Sequence, residues 1–148
     1  MGTHYKGSKK EVRSLNTYIK LIRAADSLSS KLNLHLSKKR LTESQFNVLD
    51  ALYHLGPLTQ KQLGKKLLKS GGNITMVIDN LEKRNLVKRE RGKTDRRLFI
   101  VNLTLNGKAI IKNILPEQVS RIKDELNILS KGEQNELQRI CKKLGVSV

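Results

Sequence analysis

The chain has 148 residues, enough for one domain with an apolar core of useful size. Its 37% hydrophobic and 29% charged content suits a globular fold and argues against a disordered one. Lys and Arg outnumber Asp and Glu by 30 to 13, and the resulting charge of +17 favours polyanions, nucleic acid before anionic membrane.

No run approaches the roughly 18 consecutive apolar residues of a membrane span, so no membrane partner is expected. The N-terminal stretch MGTHYKGSKKEVRS lacks the apolar core of a signal peptide. The single cysteine, Cys141, cannot form an internal disulfide, so a cytoplasmic location is the expectation.

After the polar start, Val12, Leu15, Ile19, Ile22, Ala25, Leu32 and Leu36 recur mostly at three- and four-residue steps. They form one apolar stripe on a helix from about residue 10 to about residue 38. A helix of that length fits poorly inside a small globule and is expected to pack on a partner subunit. Three later helices share one start signal: Thr42 with Gln45, Thr59 with Gln62, and Ser130 with Glu133. At this spacing the first side chain accepts from an orphan N–H and the second reaches back to the cap. Gly56-Pro57 divides the first two of these helices sharply.

Ile74, Val77, Ile78 and Leu81 mark the buried face of a further helix; Asn73, Met76, Asp79, Asn80 and Lys83 lie opposite. Asn85 then suits the left-handed conformation that ends helices. The period changes next. Leu86-Val87 open a short strand, and Phe99, Val101 and Leu103 alternate along a second one. The basic stretch between them, KRERGKTDRRLF, is therefore outgoing strand, tip and return of a β-hairpin turning near Gly92. Thr104 looks like the N-cap of a last long helix, with Ile110, Ile111, Ile114, Leu115, Val119, Ile122, Leu126 and Leu129. Pro116 falls inside it, where a kink is expected. Behind Ser130, a helix carrying Leu137, Ile140, Cys141 and Leu144 closes the chain, with Cys141 expected to be a buried small hydrophobe.

Helix, short helix, helix and hairpin, at roughly 42–55, 60–68, 71–84 and 86–103, is the order of a winged helix-turn-helix. The fold class is thus mainly α with a small β-hairpin wing, flanked by long N- and C-terminal helices. In such a unit the last helix presents its polar face to the major groove. Ser70, Gly71, Gly72 and Asn73 at its start let backbone approach a phosphate closely. Thr75, Met76, Asp79 and Lys83 can then meet base edges, thymine methyls and phosphates. Asp79 also has a purely local reading, an ion pair with Lys83 one turn on. On the hairpin, Arg91, Lys93, Asp95, Arg96 and Arg97 form the candidate wing contact, with Arg96 or Arg97 entering an adjacent minor groove.

The run SGGNITMVIDNLEKRNLVKRERGKTDRRLFIVNLTLNGK resembles the recognition helix and wing of MarR-family transcription regulators. Thr75, Asp79, Leu81, Leu86-Val87 and Arg89 carry the first half of that pattern, and Asp95-Arg96-Arg97, Leu103-Thr104 and Gly107 the second. The resemblance covers nearly the whole chain. It implies a single MarR-like domain over residues 1–148, with dimerisation helices at about 10–38 and 105–148 around a winged lobe at about 42–103. It also implies that Asn73, Thr75 and Met76 face the groove, and that Asp95 positions an arginine by a charge-assisted hydrogen bond. Leu15, Ile19, Ile22, Leu137, Ile140 and Leu144 are the candidate dimerisation residues. The implied protein is a dimeric repressor on a pseudo-palindromic double-stranded DNA operator, released by a small aromatic or phenolic effector. The usual glycine after the recognition helix is Asn85 here, and Gly92-Lys93-Thr94 stand where members often have acids and arginines.

No cofactor or metal is expected. His4, His35 and His54 lie on unrelated segments, and zinc-sensing relatives use histidines where this chain has Lys108 and Lys112. Peroxide-sensing relatives place their cysteine near the N-terminus, which has none here. No nucleophile-base set or phosphate-binding glycine loop suggests catalysis. The charge alone would also suit a non-specific nucleoid-type or RNA-binding winged helix, the principal alternative.

Overall fold

The computed structural model describes residues 2–67 and 71–145. Four of its helices start on reciprocal capping boxes. Ser8 with Glu11 opens α1 (Lys9–Lys38), and Thr42 with Gln45 opens α2 (Glu43–Leu55). Thr59 with Gln62 opens α3 (Gln60–Lys66), and Ser130 with Glu133 opens α6 (Lys131–Leu144). In each, the cap oxygen takes an N–H that the helix leaves orphaned, and the Glu or Gln returns to the cap's own N–H. The Ser8 box is the one the sequence reading passes over.

Two helix ends are equally local. Arg40, after α1, and Asn85, after α4 (Gly71–Lys83), both have φ of 57°. Behind them Leu41 donates its N–H to the Leu36 carbonyl and Leu86 to the Leu81 carbonyl, each at 3.0 Å. This six-to-one closure satisfies a terminal carbonyl and drives the following leucine into the core. Asn85 thus does the work expected of it.

Strands β2 (Val87–Arg91) and β3 (Phe99–Leu103) form the expected hairpin, with Val87 opposite Leu103 and Arg91 opposite Phe99. A third strand, β1 (Leu58–Thr59), pairs antiparallel with Val101 and Ile100, giving the order β1-β3-β2. It anchors the wing to the start of α3. Helix α5 (Leu105–Leu126) follows, with Pro116 within it. Its start is fastened tightly. Thr104 Oγ1 donates to the Asn85 carbonyl at 2.7 Å and accepts from the Gly107 N–H at 3.0 Å. A Cβ on Gly107 would lie 1.9 Å from the Leu86 carbonyl oxygen, so only glycine allows this approach.

The core joins Leu36, Leu41, Phe46, Leu49 and Leu63 to Ile74, Ile78, Leu81, Val101, Ile111 and Ile114. It lies wholly between residues 36 and 114. Of the 30 residues in α1, only His35 and Leu36 are buried, and α6 buries none. Helices α1 and α5 are laced by Lys31 to Glu125 at 2.9 Å and by His35 near Glu117 at 3.6 Å. Cys141 corrects an expectation: it is exposed, because α6 packs none of its residues to burial in the single chain.

Candidate nucleic-acid interface

The recognition helix α4 divides as its period requires. Ile74, Ile78 and Leu81 are buried, whereas Asn73, Met76, Asn80 and Lys83 form one exposed row at steps of three and four. Met76 is 58% exposed, which takes it out of the core. Gly71 and Gly72 are the first two residues of α4; Ser70 lies outside the described residues. Thr75 is half-buried on the flank of the row, where its Oγ1 accepts a 2.6 Å hydrogen bond from Gln60 Nε2. Asn80 belongs to the row as fully as Met76 does, and Gln60 is a neighbour that no sequence period points to.

Asp79 does not pair with Lys83. Its carboxylate meets the Arg89 guanidinium at 2.5 Å, and Glu82 takes that guanidinium's Nη2 at 3.0 Å and the Arg89 backbone N–H at 3.0 Å. The reason is the fold: β2 turns back antiparallel along α4 and puts Arg89 over both acids. Arg89 thereby becomes a brace between recognition helix and wing rather than a phosphate contact. Its hydrogen bond to Glu82 holds that carboxyl below the usual glutamate range, the dominant effect in a half-buried setting.

At the wing tip, Gly92 and Leu98 close the loop through Gly92 N–H to the Leu98 carbonyl at 2.9 Å. Asp95 positions an arginine as expected, and that arginine is Arg97. Asp95 Oδ1 accepts from Arg97 Nε at 3.1 Å and from its backbone N–H at 3.0 Å, while Oδ2 accepts from Nη2 at 3.2 Å. These bonds lower the Asp95 carboxyl below its ordinary value. The Arg97 side chain nevertheless remains 89% exposed. Arg91 has a second duty: its guanidinium lies 4.7 Å from the Phe99 ring centroid and donates to the Arg96 carbonyl at 2.7 Å. Lys93 and Arg96 are exposed at the tip.

Helix and wing share one open depression of about 500 Å³. Gln60, Lys61, Lys65, Thr75, Arg97 and Phe99 are among its walls. Cations of α3 and Arg97 of the wing thus line one depression beside Thr75 of α4.

The MarR family model matches residues 41–99, from the end of the first helix to the wing. The HTH-type transcriptional regulator MhqR of Bacillus subtilis is 33% identical over 135 residues, covering 91% of this chain and 93% of that protein. The chain belongs to the MarR family. Among solved structures, a mutant of the MarR protein of E. coli complexed with operator DNA superposes with a TM-score of 0.75 at 28% identity. That match covers 87% of this chain and 96% of the other. Bordetella bronchiseptica BpsR, whose DNA binding is regulated by 6-hydroxynicotinic acid, shares the fold at a TM-score of 0.78 and 23% identity, over 86% and 97% of the chains. The MarR-family chain is thus a DNA-binding regulator of transcription with a winged helix-turn-helix fold. No helix among its described residues is long and apolar enough to cross a membrane.

The predicted dimerisation residues divide by exposure. Leu15 and Ile19 are half-buried, while Ile22, Leu137, Ile140 and Leu144 are exposed, Leu144 at 67%. Their own chain covers none of them fully.

Proposed function

We propose that the protein is a homodimeric repressor that reads a pseudo-palindromic operator through two copies of α4 and two wings. The observation that carries this reading is the pairing of an exposed polar row on α4 with an Asp95-held, outward Arg97 beside it. Asn73, Thr75, Met76, Asn80 and Lys83 read the major groove, and the Gly71-Gly72 start of α4 approaches a phosphate. Arg97 enters the neighbouring minor groove, because Asp95 fixes its direction before DNA arrives. Arg96 and Lys93 meet phosphates.

The dimer is supported by apolar side chains that α1 and α6 leave uncovered, Ile22, Leu137, Ile140 and Leu144 among them. A second copy presenting the same helices buries them by symmetry. An aromatic or phenolic effector, seated between these helices and the winged lobe, releases the operator by favouring a different spacing of the recognition helices. The regulation of BpsR by a hydroxylated aromatic acid supports that chemical class.

Selection of bound fragments from genomic DNA tests the reading. The expected result is a small set of fragments sharing a two-fold motif, bound at least about 1,000-fold tighter than random duplex at fixed salt. A ratio near one for every fragment favours instead the non-specific reading that the +17 charge alone would permit.

A further inference from the structure

A side-chain hydrogen bond between Gln60 and Thr75 joins α3 to α4. Gln60 is the first residue of α3, held in place by the reciprocal cap of Thr59 and Gln62. Its Nε2 reaches Thr75 Oγ1 at 2.6 Å, at the edge of the depression that also holds Arg97 and Phe99. The same amide leaves Oε1 buried without a hydrogen-bond partner, which costs stability.

Threonine in a helix divides between two side-chain rotamers, which differ in where the methyl and the hydroxyl point. A donor fixed from a neighbouring helix selects the rotamer that puts Oγ1 toward it. The opposite side of the Thr75 side chain is then determined as well. Thymine methyls are read by apolar groups and other base edges by polar ones, so the rotamer decides what Thr75 reads.

We infer that Gln60 is a specificity-determining positioning residue, which sets the base preference of Thr75 without touching a base itself. This rests on the operator-reading role proposed above. It is tested by selection from a randomised duplex library with the full-length chain and its Gln60→Ala, Thr75→Ala, double and Gln60→Glu variants. In the wild type, the preferred base at one step per half-site leads the next by a ratio on the order of tenfold. Gln60→Ala and Thr75→Ala both bring that ratio toward one at the same step, and the double variant goes no further. Gln60→Glu keeps the side-chain length but puts a carboxylate oxygen, which cannot donate to Thr75 Oγ1, in place of Nε2, so it relaxes the same step as Gln60→Ala. Its added negative charge lowers affinity for all sequences alike.

The inference is overturned if Gln60→Ala enriches the wild-type motif unchanged, or relaxes a different step from Thr75→Ala. It is equally overturned if Thr75→Ala relaxes no step, or if Gln60→Glu keeps the wild-type base preference. A fold defect in Gln60→Ala lowers binding to every duplex and leaves the ratio at tenfold, which also overturns it. A wild-type protein that enriches no motif removes the operator reading, and this inference with it.

Discussion

The winged lobe and the helices that flank it are built by opposite rules. The lobe encloses its apolar residues within one chain: Leu49, Leu63, Ile78, Leu81 and Val101 are fully buried. Helices α1 and α6 have comparable apolar stripes and bury almost nothing. The same 3.6-residue period therefore means a finished core in one region and an unfinished interface in the other. What distinguishes them is whether another part of the chain returns to the stripe.

The most severe way to break that contrast is at the joint between lobe and α5. Gly107→Ala places a Cβ against the Leu86 carbonyl, so it is expected to cost roughly 3 kcal/mol or more. Thermal melting checks this, as a Tm drop of many degrees. Next, Ile78→Ala in the lobe should destabilise by about 2–5 kcal/mol at any protein concentration. Ile140→Asp in α6 should leave the lobe folded but raise the dimer dissociation constant at least about 100-fold, by burying an unpaired charge. Sedimentation velocity separates the two outcomes, and a dimer of normal mass for Ile140→Asp removes the distinction between regions.

Within the lobe the contrast is finer. Arg97→Ala should weaken binding to all duplexes and lower the salt slope by about one unit. Arg91→Ala, which removes a brace as well as a charge, should act less directly. A salt slope identical to wild type in Arg97→Ala would exclude a phosphate or minor-groove role.

The smallest expected effect concerns the Glu82–Arg89 brace. Glu82 has a carboxyl held below its usual 4.5 by Arg89. Its stabilising contribution is thus fully present above that value and is lost as pH falls through the lowered one. Glu82 is more than a third exposed, so Glu82→Gln should cost only about 0.5–1 kcal/mol at neutral pH. The gap to wild type should close as pH falls below the ordinary 4.5 and on through the lowered value, as urea titrations at several pH values would reveal.

Features that depend on a few neighbouring residues were legible in the sequence. The capping boxes at Thr42, Thr59 and Ser130, the left-handed Asn85 and the Thr104 cap all have partners within four residues or a fixed backbone need. The exposed face of α4 followed from its period, and the Asp95–arginine contact from the family resemblance. Contacts set by tertiary register were not legible. Strand β1 has two residues, too few to show alternation. Asp79 finds Arg89 rather than Lys83 only because β2 folds back over α4. Gln60 meets Thr75 across fifteen residues, and Cys141 is exposed because nothing among the described residues buries any part of α6.

The central claim is that the unfinished helices and the finished lobe act together, placing two recognition helices on one operator. Footprinting the wild-type protein on a fragment selected for tight binding tests it most directly. The account predicts two protected half-sites of opposite orientation, centred about one helical turn, roughly 10 base pairs, apart. A single protected patch, or even protection along the whole fragment, would contradict it.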